Sequence, residues 1–426
     1  MKSYQVALKP SSVLKKITQT QNQVSSVEKK VSIDFLVLRG GGGHYATYKA
    51  LRSIIEQQQL PWELNVTFAD TIAEHLAAQN QSLDIYRLFG TNSDEFYDRI
   101  QQNGWSWVYR FLIRLNKLLI QLNYEAGVKI LEENWRKKTP DLVISVVPFF
   151  NKGLWESLNR VKPNTPIVTL LIDFADCPPG YWIEPETTNY VVCGTEKAVE
   201  QARDLGVAED RIVQTSGMVI HPRFYQPISC DRRLERQRLG LDPDCMTGLV
   251  LFGANGSNVM LDIAKRLEAF DQKLQLIFLC GRNEEVAASL RKHKSLQKRL
   301  VVTFTEDIPY YMHLADFFIG KPGPGSVSEA LAMKLPVIVQ RNFSTLPQER
   351  SVCDWIEQRE VGLVIRHFRQ IDTAVQKMLQ PERYTQYRAN VTGVDNHAVL
   401  EIPEILQQIL TTHTCESSLP SESVYC

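Results

Sequence analysis

The sequence predicts an α/β protein built as two doubly wound, Rossmann-like domains that face each other across a cleft. Three observations carry this. Short apolar runs alternate with longer segments of helical periodicity, the rhythm of parallel βαβ units. That rhythm breaks once, over a charged stretch with three prolines, and then restarts. In each half, one strand runs directly into a glycine-rich loop that opens a helix. The 426 residues and 44% apolar content suit two domains with cores of ordinary size.

A polar tail is expected over 1–30; it lacks the continuous apolar segment of a signal peptide. The first domain is expected over 31–225, with strands at 33–38, 63–69, 142–147, 166–172 and 189–193. Tyr48, Leu51, Ile54 and Ile55 recur at helical spacing after the first glycine loop. A second helix is expected at 195–205, between a Gly-Thr start signal and Gly206. Residues 226–246 read as a short charged helix and a linker. The second domain is expected over 247–412, with strands at 248–253, 274–280, 299–304, 316–320 and 336–340. Its terminal helix places Ile402, Ile405, Leu406, Ile409 and Leu410 on one stripe, and 413–426 read as a loose tail.

Charge and cysteine narrow the function classes. Forty-eight basic residues balance forty-eight acidic ones, so no global field draws the chain to nucleic acid, and none is expected as a partner. The eight cysteines are scattered without CxxC or Cys/His spacing, which argues against a metal site and for a reducing cytosol. No apolar run is long enough to span a bilayer, so lipid contact is expected to be peripheral, on the cytosolic face. Trp105, Trp107, Arg110 and Arg114 fit an in-plane membrane helix, or equally a core helix with a basic edge.

The segment GKPGPGSVSEAL is the most informative. Gly323 and Gly325 let the backbone turn tightly, and the helix expected from about Val327 offers free amides and a positive dipole end, which suits a diphosphate. Ser326 either caps that helix or donates to a phosphate oxygen. Glu329 either accepts from ribose hydroxyls or completes a capping box with Ser326. Gln348 and Glu349 follow the strand at 336–340, at the rim where open α/β sheets bind ligands; the plain alternative is that they cap the next helix.

In the first domain Gly40 to Gly43 precede His44 at a helix start. His44 can serve as a general base or simply pack the loop. Gly41, Gly43 and Ala46 also satisfy a loose dinucleotide fingerprint, with Asp70 near the place of the acidic residue, so a nicotinamide enzyme or an epimerase remains an alternative. Asp173 and Asp176 sit past a strand end; a loop role is expected, with Asp173 nearest the cleft. Asp242 and Asp244 flank a proline and read as a turn.

These motifs, with RGGGGHYATYKAL, IDFADCPPGYWIEP, SGMVIHPRF, LCGRN and LPQER, resemble the monogalactosyldiacylglycerol synthase and diacylglycerol glucosyltransferase group. The peptidoglycan N-acetylglucosaminyltransferase is a more distant likeness. The resemblance implies a GT-B fold, a UDP-sugar donor as co-substrate, a lipid or other hydrophobic acceptor, inversion at the anomeric carbon, and neither cofactor nor essential metal. It assigns Glu329 to the uridine ribose, Gly325 and Ser326 to the diphosphate, Gln348 and Glu349 to donor-sugar hydroxyls, and Phe304 to uracil. His44 matches the histidine of the first glycine loop, Gly41, Gly42 and Gly43. Where plant-type synthases carry an aspartate ahead of those glycines, this chain has Arg39, which cannot take a proton. The base is then His44 or Asp173, or the protein is a non-catalytic binder of nucleotide sugars.

Overall fold

Six parallel strands organise each half of the computed structural model, which describes residues 30–39, 43–70, 117–118, 120–343 and 345–417. In the first half they are β1 (Val31–Val37), β2 (Trp62–Phe68), β3 (Leu142–Ser145), β4 (Ile167–Leu170), β5 (Tyr190–Cys193) and β6 (Ile212–Gln214), in the order β2-β1-β3-β4-β5-β6. The second half has β7 (Met246–Leu251), β8 (Leu274–Leu279), β9 (Arg299–Val302), β10 (Phe317–Gly320), β11 (Val337–Gln340) and β12 (Gly362–Ile365). Their order, β12-β11-β10-β7-β8-β9, is that of a doubly wound dinucleotide-type sheet. Helices cover both faces, so β3, β4, β5, β8 and β10 are buried along their whole length and read as continuous apolar runs.

The strand order fixes where ligands can enter. β7 lies between β10 and β8, and the crossovers leaving β7 and β10 run in opposite directions. The crevice between their carboxyl ends is therefore the switch point of the second sheet. In the first sheet, β1 lies between β2 and β3 and opens into the glycine loop. The charge inside that sheet is satisfied: Asp34 is fully buried, with Lys138 Nζ at 2.8 Å and the Thr67 hydroxyl donating at 3.0 Å.

Two sequence expectations about organisation are corrected. The stretch 226–246 holds the expected short charged helix, but that helix is fixed to the second domain instead of lying free between the two. Its helix Arg232–Arg238 is clamped to the second domain, with Arg232 and Arg236 reaching Asp316 at 2.6 and 2.8 Å. The terminal helix, Ala398–Ser417, does not belong to the second domain's core. Val399, Ile402, Leu406 and Ile409 pack with Tyr48, Leu51 and Ile55 of the helix Gly43–Gln57, so the chain crosses back to the first domain. The two crossings are hydrogen-bonded to each other: Asn396 donates to the Met218 carbonyl at 3.0 Å, and the His397 N–H to Ser216 Oγ at 2.7 Å. β6 and β12, both edge strands, are also absent from the expected set.

Candidate active site

The helix after β10 begins at Pro324, three residues before its expected start at Val327. Gly323 is its N-cap and Pro324 its first residue, a position where a missing N–H costs nothing. The first-turn amides that no helical carbonyl can reach are therefore those of Gly325 and Ser326. Ser326 does not cap the helix; its hydroxyl donates back to the Gly323 carbonyl at 3.2 Å. With Ser326 and Glu329 both inside the helix, the capping-box reading falls. No heavy atom outside the helix's own backbone and the neighbouring residues lies within 4 Å of where a Cβ on Gly325 would stand.

Around this seat the rim of the sheet is built from backbone. The loop after β7 carries Gly253 and Gly256, both at positive φ, and sequence reasoning passed over it. A Cβ on Gly281 would stand 2.0 Å from the Ala254 carbonyl oxygen, and the Arg282 N–H donates to that same oxygen at 2.8 Å. The loops after β7 and β8 are thus locked together. Phe304 stands just beyond β9 at 49% exposure, and the Arg282 guanidinium lies 5.0 Å from its ring centre. This is a flat aromatic at the same rim.

Glu329 is half-buried, and burial pushes its carboxyl up to about 7, against the pull of Arg223. Arg223 lies on the crossing segment, and its buried Nε has no hydrogen-bond partner. The next helix, Pro347–Gln358, places Gln348 and Glu349 in its first turn without any side-chain cap. Gln348 Oε1 is buried and unpartnered. Burial also raises the Glu349 carboxyl, opposed by Lys321, whose Nζ lies 4.0 Å away.

The first domain supplies the opposing wall. His44 Nδ1 donates to the Val146 carbonyl at 2.5 Å, which fixes the neutral tautomer with Nε2 as the available acceptor. Burial lowers the imidazole's pKa, so it stays uncharged at neutral pH. Its ring stacks on Trp182, with centres 6.0 Å apart, and the Trp182 indole N–H donates to Asp173 Oδ2 at 2.8 Å. Burial pushes Asp173 up to about 7; the Trp182 bond opposes the rise, and Glu349 across the cleft and Asp176 add to it. Asp176 is structural: its carboxylate accepts from the N–H groups of Gly180, Tyr181 and Trp182 at 2.7 to 2.9 Å. The ring of Phe174, next to Asp173, meets Trp355 of the second domain at 5.5 Å.

The remaining candidates separate from this cluster. Arg39 lies over the Phe68 ring at 4.5 Å, and its backbone N–H donates to Asp70 at 2.7 Å. That bond gives Asp70 a task in its own chain. Asp242 closes a turn by accepting from the Asp244 N–H at 2.9 Å. Gly43 opens the helix that carries His44. Gly41, Gly42, Trp105, Trp107, Arg110 and Arg114 lie outside the described residues. Among the described residues no cluster of three or more His, Cys, Asp or Glu side chains is arranged to hold a metal ion.

Two doubly wound six-stranded parallel sheets, the second with a switch-point crevice, are the architecture of the GT-B class. The family models agree, domain by domain. "Monogalactosyldiacylglycerol (MGDG) synthase" matches residues 44–220, and "Glycosyltransferase family 28 C-terminal domain" matches 249–343. The chain is a glycosyltransferase, and it resembles the monogalactosyldiacylglycerol synthases and diacylglycerol glucosyltransferases. It is 24% identical to a processive diacylglycerol beta-glucosyltransferase of Bacillus licheniformis, over 88% of this chain and 95% of that one. It is 27% identical to a probable chloroplastic monogalactosyldiacylglycerol synthase 3 of Oryza sativa, over 76% of this chain and 61% of that one. In fold it is similar to Acinetobacter baumannii MurG, with a TM-score of 0.56 at 11% identity over 88% of this chain and 99% of that one.

Proposed function

We propose that this chain moves a hexose from a UDP-sugar to the hydroxyl of a diacylglycerol-like lipid at a membrane face. The observation that carries this is the pairing of free amides at Gly325 and Ser326 with a neutral, oriented His44 on the opposing domain. UDP sits along the rim of the second sheet. Phe304 lies against uracil, Glu329 accepts from the ribose hydroxyls, the first-turn amides hold the diphosphate, and Gln348 and Glu349 hold the sugar. Gln348 Oε1 and Arg223 Nε, both buried without partners, support a polar ligand there.

Transfer is a single displacement that inverts the anomeric carbon. The lipid hydroxyl gives its proton to His44 Nε2 as its oxygen attacks. The bond to the β-phosphate oxygen breaks, and the growing charge is stabilised by the amides and the helix dipole. Asp173, through Trp182, holds the imidazole in place. Lipid as acceptor is supported by the relatives that glycosylate diacylglycerol; among the described residues no helix is long and apolar enough to cross a membrane.

The test is a donor screen with lipid extracts and mass-spectrometric detection of products. Glycosylated diacylglycerol with release of UDP is expected, and His44→Ala should lower turnover by about 10²-fold or more while UDP binding holds. UDP-sugar binding without transfer to any lipid would retire the reading in favour of a nucleotide-sugar-binding protein.

A further inference from the structure

Because the chain's formal charge is zero, any attraction to a charged partner has to come from a local excess. One nine-residue segment has it. Arg291, Lys292, His293, Lys294, Lys298 and Arg299 occur between 291 and 299 with no acidic residue among them. The segment ends the helix Glu284–Lys292 and forms the loop into β9, with Arg291, Lys292, Lys294 and Lys298 exposed. Glu268 is the carboxylate that reaches in, and it is taken by His293 and by Arg299 at 3.3 Å. No carboxylate among the described residues forms an ion pair with Lys292, Lys294 or Lys298, although Lys298 lies within electrostatic reach of Asp242.

At the centre of this cationic loop stands Leu296. At 89% exposure it is the most exposed large apolar side chain among the described residues. Beside it is a hollow of about 380 Å³ whose lining includes Arg291, His293, Ser295 and Arg299. Arg299 is only 6% exposed, and its Nη1 has no hydrogen-bond partner. A single exposed leucine is ordinary on a protein surface. A leucine ringed by lysines without carboxylate partners, beside a largely polar surface hollow, has the composition of an interfacial anchor. The segment contains no Phe, Tyr or Trp on which bases could stack, and its one imidazole, His293, is paired with Glu268, which disfavours single-stranded nucleic acid.

We propose that the loop 293–298 docks the second domain onto an anionic bilayer, with Leu296 in the interface and the lysines over lipid phosphates. This rests on the reading that the acceptor is a membrane lipid, since docking raises the enzyme's concentration at its acceptor. The loop enters β9 at its amino end, whereas Phe304 lies beyond the carboxyl end of that strand. Changes in the loop therefore leave the donor rim untouched.

The test uses the full chain with vesicles of phosphatidylcholine, alone or mixed with phosphatidylglycerol, in a co-sedimentation assay. Binding is expected only to the anionic vesicles and should fall steeply with salt. Reversing Lys292, Lys294 and Lys298 to Glu should weaken it at least about 100-fold. Leu296→Ser should weaken it several-fold. UDP affinity and transfer to a detergent-dispersed lipid should stay as in the parent. Parent-like sedimentation of the charge-reversed protein would place membrane contact elsewhere in the chain and overturn the proposal. So would displacement from vesicles by inorganic phosphate, or tighter binding to a single-stranded oligonucleotide. Loop-dependent vesicle binding with no glycolipid formed would leave the docking site standing and sink the acceptor assignment instead.

Discussion

At the scale of single residues, the site is a set of ionisable groups held away from their ordinary states by burial. Glu329 is the sharpest case, with its carboxyl raised to about 7 and, among the described residues, no side-chain partner apart from the field of Arg223. An ionised carboxylate accepts from ribose hydroxyls more strongly than its protonated form, so UDP affinity should fall by up to about 10-fold between pH 8 and pH 6. Glu329→Gln should abolish most of that pH dependence and bind UDP more weakly at pH 8, by titration calorimetry. A parent-like pH profile in Glu329→Gln would move the ribose contact to another residue. His44 was legible in the sequence as a histidine at a helix start, but its tautomer was not. That depends on the Val146 carbonyl, 102 positions away, and on Trp182, which no local pattern marks as the link to Asp173.

At the scale of elements, the helix Pro324–Ala332 makes the strongest prediction because its first turn is both exposed and unobstructed. Gly325→Ala adds a methyl that meets no atom beyond its own helix and neighbours, at a helical position, so thermal stability should be unchanged or raised by up to about 1 kcal/mol. If the diphosphate sits at this turn, the added methyl occupies its space and UDP binding should weaken by about 10-fold or more. Equal affinity in the variant would mean the diphosphate sits elsewhere. Gly281→Ala is the contrast: its Cβ would collide with the backbone of Ala254, so it should unfold at lower temperature. Most of the ten expected strands were readable as apolar runs, while the one at 63–69 alternates polar and apolar residues. β6 has only three residues, too short to signal a strand, and β12, the four-residue apolar run GLVI, was passed over. The helix start was misplaced because Pro324 looks like a breaker, whereas at the first helical position it is a starter.

At the scale of the whole molecule, the cleft concentrates acid from both domains: Asp173 on one side, Glu329 and Glu349 on the other. The two-domain plan was legible from the repeated strand-glycine-helix rhythm, but the return of the last helix to the first domain was not. An amphipathic stripe says that a helix buries a face and not which core receives it. Burial is the leading cause of all three raised carboxyls, and the Asp173 shift grows further because Glu349 faces it. Each group binds its proton more tightly folded than unfolded, where a carboxyl titrates near 4. Folding therefore takes up protons between pH 4 and about 7, and stability falls as pH rises through that window. The protein alone should melt at a lower temperature at pH 8 than at pH 6. Asp173→Asn keeps the shape and removes the charge, so its melting temperature should exceed the parent's at pH 8 and approach it at pH 5, while transfer is impaired. The same substitution giving an equal loss of stability at both pH values would show that Asp173 serves folding through its bond to Trp182 rather than carrying a charge that the fold tolerates for the sake of the reaction.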